Sequence, residues 1–105
     1  MGGDITTALP YMVTGGVEIE FDPAKDAANR AKHGVSLAAA LFVLETRVGE
    51  IVDDRRDYGE ARMNAFGFIR GRLFVCTYTV RREVYRVISL RRASRQERLR
   101  WQRCE

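Results

Sequence analysis

The stretch Arg62–Leu90, RMNAFGFIRGRLFVCTYTVRREVYRVISL, decides the fold. It divides into three runs, Arg62 to Ile69, Leu73 to Val80 and Glu83 to Leu90, each rich in β-branched and aromatic residues. The breaks between them, Arg70-Gly71 and Arg81-Arg82, are short turn signals, so the runs read as consecutive antiparallel strands of a meander. Side chains alternate along a strand. In the last run Val84, Arg86, Ile88 and Leu90 are therefore expected on one face, with Tyr85, Val87, Ser89 and Arg91 on the other. In the run before it Phe74, Cys76, Tyr78 and Val80 share a face. Both faces of the meander are substantially apolar. One is expected to pack on helices and the other to form a partly covered groove.

Upstream, Val48 to Val52 reads as another short strand, and Val17-Glu18-Ile19-Glu20-Phe21 alternates with the period of a half-buried one. Asp22-Pro23 then supplies a helix start, and Ala24 to Lys32 is rich in helix formers up to the stop at His33-Gly34. Ser36 can cap a second helix, Leu37 to Leu44, whose nearly all-round apolar surface predicts burial. Downstream, Ser94 and Glu97 form a capping box for a last helix running to Arg103. The expected class is α+β: an antiparallel sheet with two N-terminal helices and a C-terminal helix packed on it. Residues 1–16, with Met1-Gly2-Gly3 and Gly15-Gly16 around an aperiodic stretch, read as a flexible tail or an added extension. Residues 17–105 read as a single domain.

Composition narrows the function. The 105 residues are 46% hydrophobic and 30% charged, a globular balance outside the disordered range. The longest apolar stretch, residues 35–44, falls far short of the roughly 20 residues that span a bilayer, so no membrane partner is expected. Cys76 and Cys104 read as free thiols in a reducing cytoplasm. One histidine and two separated cysteines predict no metal site and no cofactor. The net charge of +4 conceals an asymmetry: residues 1–60 carry 6 basic and 11 acidic side chains, residues 61–105 carry 12 and 3. All 12 basic residues of the second part are arginine, which forks onto phosphate oxygens and stacks on bases, and this points to nucleic acid.

Several residues stand out as candidates. Arg86 among apolar neighbours needs a carboxylate (Glu45, Glu50 or Asp53) or a phosphate to neutralise it. Arg91, Arg92 and Arg95 gather where the last strand enters the last helix, either as a phosphate cradle or as a solvated rim. Trp101 is a stacking surface for a base or a core side chain. His33 has the one unperturbed pKa suited to proton transfer near neutrality, and it also suits a helix C-terminus. Lys25, Asn29 and Lys32 share a helix face.

The blocks Phe21-Asp22-Pro23-Ala24-Lys25, Asn29 and Lys32-His33-Gly34-Val35-Ser36 are matched downstream by Gly71-Arg72-Leu73, Tyr78-Thr79-x-Arg81 and the run Arg86-Val87-Ile88-Ser89-Leu90-Arg91-Arg92-Ala93-Ser94-Arg95-x-Glu97-Arg98. Together, over roughly residues 17–101, they resemble the BrnT family of toxins from bacterial type II toxin–antitoxin systems. The resemblance implies a RelE-like fold and a metal-independent endoribonuclease that slows growth by cutting RNA. It also implies a cognate ribbon-helix-helix antitoxin bound to the toxin in a hetero-oligomer, with operator DNA reached only through that antitoxin. The implied chemistry is attack by the RNA's own 2′-hydroxyl on the adjacent phosphate. His33 or a lysine near it would move a proton, Arg81, Arg86 and Arg91 would face the developing charge, and Lys25, Lys32, Arg92, Arg95 and Trp101 would hold the substrate. The family pattern carries Trp at Phe21 and Tyr at Trp101. An indole does not ionise, so an acid role at Trp101 is lost while a packing or stacking role is kept. The same surface also fits a non-catalytic module that binds nucleic acid or antitoxin, or a partner whose arginines meet an acidic protein.

Overall fold

A computed structural model describes residues 11–102 apart from 15, 56 and 58, with residues 11–14 and 102 described by their backbone. In chain order the elements are β1 (Tyr11–Thr14), β2 (Val17–Phe21), α1 (Pro23–His33), a 3₁₀ turn (Leu37–Ala39), α2 (Ala40–Glu45), β3 (Gly49–Val52), β4 (Met63–Ile69), β5 (Arg72–Arg81), β6 (Val84–Arg92) and α3 (Arg95–Gln102). The helix starts follow from local chemistry. Asp22 accepts the Ala24 amide at 2.8 Å ahead of Pro23, and Ser36 accepts the Ala38 amide at 3.1 Å. Gly34, at φ +74°, ends α1 in the left-handed conformation and donates its N–H to the Arg30 carbonyl. Ser94 and Glu97 exchange the two bonds of the capping box that opens α3.

The α+β class holds, with three differences from the reading of the sequence. The two expected N-terminal helices are one three-turn helix followed by a 3₁₀ turn that runs into the six-residue α2. Residues 11–14 of the expected tail pair antiparallel with β2, while residues 1–10 and 15 lie outside the described residues. The sheet is mixed: its order is β1-β2-β6-β5-β4-β3, and β2 runs parallel to β6 through Ile19–Tyr85, Glu20–Arg86 and Phe21–Val87. Alternation reveals which side chains share a face but is silent on strand direction. Direction is set by the crossover through α1 and α2, which carries the chain from β2 to the far edge of the sheet at β3.

Helices cover both faces. On one, Leu37, Leu41, Val43 and Leu44 pack against Ile19, Phe74, Cys76, Val87 and Leu90, all buried. Gly67 of β4 lets α2 sit directly on the sheet, since an added Cβ would collide with the Val43 carbonyl. On the other face Phe66, Leu73, Val75 and Ala93 form a smaller cluster with Trp101 of α3. Trp101 stacks on Phe66 at 5.0 Å, and its ring fills the space a side chain at Gly49 would need.

The face assignment of β6 also changes. Thr77 pairs with Ser89 but Tyr78 pairs with Val87, so Ile88 is an extra residue, a β-bulge. Period-2 counting continues through Ile88 and misplaces everything beyond it. Because of the bulge Val87 and Leu90 both enter the larger core, while Arg86, Ser89 and Arg91 turn to the α3 face.

Beyond Phe21 the outer edge of β6 has lost its strand partner, and α1 takes over. The Asn29 side chain, 6% exposed, accepts the Leu90 N–H at 3.1 Å and donates to the Leu90 carbonyl at 2.8 Å. Its amide nitrogen also donates to the Val35 carbonyl at 2.9 Å. Asp26, one turn earlier, accepts the Ser36 hydroxyl and the Leu37 N–H. A side-chain amide therefore does the work of a neighbouring strand, leaving no orphaned backbone group at Leu90.

Gly67→Ala is expected to cost about 2 kcal/mol of stability, because a backbone carbonyl cannot swing aside as a side chain can. Thermal melts beside Gly49→Ala, which displaces only the Trp101 ring, should show the larger loss for Gly67→Ala.

Candidate functional site

The α3 face of the sheet has two characters. Phe66, Val75 and Arg91 form one cross-strand row, apolar at its first two positions. The next row, two residues along each strand, is Asn64, Thr77 and Ser89. These three line the floor of a cleft of about 430 Å³ whose walls are Lys32, His33, Arg55, Arg91 and Glu97. A second depression of about 230 Å³, lined by Lys25, Ala28, Asn29 and Ile88, shares Lys32, His33 and Ser89 with the first. The two form one groove along α1 and across the edge of β6.

The basic side chains arrive from three segments. Lys32 and His33 close α1, Arg91 closes β6, and Arg55 comes from the loop after β3. Carboxylates fix the two arginines. Glu97 receives Arg91 Nη1 at 2.8 Å and Nη2 at 2.9 Å, a bidentate pair, and Arg91 Nη1 also reaches the Arg92 carbonyl. Asp53, 4% exposed, holds Arg55 Nε at 2.7 Å and Nη2 at 2.9 Å. Planar forks held in this way are pre-set in direction for an incoming anion. The Arg91 hydrogen bonds draw the Glu97 carboxyl down to about 2 against the opposing effect of its burial, helped by the Ser94 amide. Partial desolvation, then the nearby charges of Lys32 and Arg91, hold His33 below its ordinary 6.5, so the imidazole is neutral at pH 7. A neutral imidazole beside fixed cations can accept a proton while an anion is held. Among the described residues no three His, Cys, Asp or Glu side chains gather as metal ligands.

Of the residues singled out in the sequence, His33, Lys32 and Arg91 meet in the cleft and Lys25 lines its extension. Arg81 and Arg86 line neither depression. Arg81 pairs with Glu60 at 3.0 Å, and Arg86 with Glu20 at 3.4 Å, a carboxylate outside the three considered for it. Arg92 and Arg95 are exposed beyond the rim, and Trp101 packs on Phe66. Arg55, Asn64, Thr77, Ser89 and Glu97 were not singled out as site residues. Glu97 reads as a helix cap, which it also is; the others become a site only once the strand register is known. Cys76 is buried in the larger core, where desolvation pushes its thiol up to about 12 and leaves it unreactive. Tyr78 points to the same core, donates to Glu50 at 2.8 Å and is raised above its ordinary range, first by burial and then by that bond. Cys104 lies outside the described residues. No helix among the described residues is long and apolar enough to cross a membrane.

One family model matches residues 21–97, described as "Ribonuclease toxin, BrnT, of type II toxin-antitoxin system". No curated protein matches the chain.

The Arg91–Glu97 pair predicts a pH signature. A carboxyl lowered from 4.5 to about 2 on folding contributes stability that is complete above 4.5 and lost as pH falls toward 2. Denaturant titrations across that window should show wild type losing more stability than Glu97→Gln, which starts lower at neutral pH.

Proposed function

The chain belongs to the BrnT family of ribonuclease toxins of type II toxin–antitoxin systems, and on that premise we propose that it is a metal-independent endoribonuclease whose active site is the cleft between α1 and β6. The observation that carries this reading is the meeting of Lys32, His33 and Arg91 around one polar floor. In the proposed reaction His33 takes the proton of an RNA 2′-hydroxyl as that oxygen bonds to the adjacent phosphorus. The bond from phosphorus to the 5′ oxygen breaks, and the Lys32 ammonium returns a proton to the leaving oxygen. The products are a 2′,3′-cyclic phosphate and a free 5′-hydroxyl end. Arg91, aimed by Glu97, faces the charge that builds on the phosphorane oxygens. Lys25 and Arg55 hold the neighbouring backbone, with Arg92 and Arg95 at the rim. Arg81 and Arg86, engaged by Glu60 and Glu20, act outside the reacting centre.

The rest of the reading follows from the family. The α+β sheet flanked by helices supports a RelE-like fold. The toxin acts in the cytoplasm, slows growth, and is neutralised by a ribbon-helix-helix antitoxin that forms a hetero-oligomer with it. Charge complementarity supports an acidic or helical plug in the same groove.

Antitoxin-free protein incubated with RNA in EDTA should cut it and leave cyclic phosphate ends. Arg91→Ala and His33→Ala should each slow cleavage about 10²-fold while remaining folded. Intact RNA in the presence of folded wild type overturns the reading, and RNA binding without cleavage transfers it to a non-catalytic module. Because His33 must be unprotonated to act, the rate should climb with pH, its midpoint below 6.5, and level off by neutrality.

A further inference from the structure

The phosphate chemistry makes no use of the cleft floor. Asn64, Thr77 and Ser89 are direct cross-strand partners on three neighbouring strands, and this row of short neutral polar groups lies beside the apolar Phe66–Val75 pair of the next row. Strands lie about 4.8 Å apart, so the row spans about 10 Å, enough for the edge of a planar ring system. Its orientation is fixed. The Thr77 hydroxyl donates to Asn64 Oδ1 at 2.6 Å, which engages the amide oxygen along the sheet. Asn64 Nδ2 has no partner among the described residues and is left as a donor at the cleft. Cations stand at both ends of the row, Arg55 at one and Lys32, beside the neutral His33, at the other.

We propose that this row is a nucleobase-reading subsite in which Asn64 Nδ2 donates to a base carbonyl. The proposal rests on the ribonuclease reading for its ligand class. Guanine O6 and uracil O4 accept such a bond, whereas adenine and cytosine present an amino group there, donor against donor. The flanking cations take the phosphates on either side of the base that is read. Thr77 is a positioning residue: without its hydroxyl the Asn64 amide is free to turn its oxygen outward and accept from an amino base. Ser89, which can donate or accept, tolerates either class.

The test is titration of the full chain with 3′-GMP, 3′-UMP, 3′-AMP and 3′-CMP, followed by NMR or calorimetry. Wild type should bind the guanine and uracil nucleotides about fivefold more tightly than the other two, the effect of one hydrogen bond. Asn64→Ala should abolish that preference, and Thr77→Val should weaken it with Asn64 still present. Equal affinities for all four nucleotides in wild type, or a preference that survives Asn64→Ala, overturns the subsite. Intact RNA together with a clear carbonyl-base preference removes the ribonuclease reading and leaves the subsite standing. Cleavage with no such preference does the reverse.

Discussion

A single side-chain amide substitutes for a missing strand. Strand β2 accompanies β6 only as far as Val87, and the exposed N–H and C=O of Leu90 are closed by Asn29 from α1. Left open, those groups would carry a desolvation cost of about 1–3 kcal/mol each. The consequence reaches beyond stability because of helical spacing. Residues three and four apart share a helix face, so a helix pinned at Asn29 brings Lys25, Lys32 and His33 against the same edge of β6. These are the residues that line the groove. The contact that completes the sheet also assembles the site.

The second constraint is the bulge at Ile88. Regular alternation running through Ile88 would put Val87 and Leu90 on opposite faces; with Ile88 bulged out, both are fully buried in one core. The same step turns Ser89 and Arg91 to the cleft side, where Glu97 of the following helix receives Arg91. Glu97 thereby links two jobs, capping α3 and aligning a guanidinium. The basic half of the chain is less free than its composition suggests. Arg81, Arg86 and Arg91 all have carboxylate partners drawn from other segments. Specific placement, rather than bulk charge, distinguishes the groove from the rest of a basic surface.

Much of this was legible in the sequence. The meander, the caps at Asp22, Ser36 and Ser94, and the stop at Gly34 follow from local chemistry, and they stand where that chemistry puts them. Two apolar faces implied helices on one and a groove on the other; helices cover both, and the groove lies on the α3 face beside α1. What could not be read was non-local. Strand direction leaves no trace in alternation, so the parallel β2–β6 pair was missed. A bulge is invisible to period-2 counting, which assigned Val87 and Ser89 to one face. Asn29 reads only as sharing a helix face with Lys25 and Lys32, because nothing nearby reveals that its partner lies 61 residues away. Arg86 shows the same limit: its partner Glu20 becomes a neighbour only through that parallel pair.

The most direct measurement is an NMR titration of His33 in wild type and in Asn29→Ala. The wild-type pKa should lie below 6.5, set by desolvation and by Lys32 and Arg91. In the variant it should return toward 6.5, with core signals persisting while the end of α1 leaves the sheet edge. A His33 pKa that is the same in both proteins would contradict the claim that Asn29 builds the site.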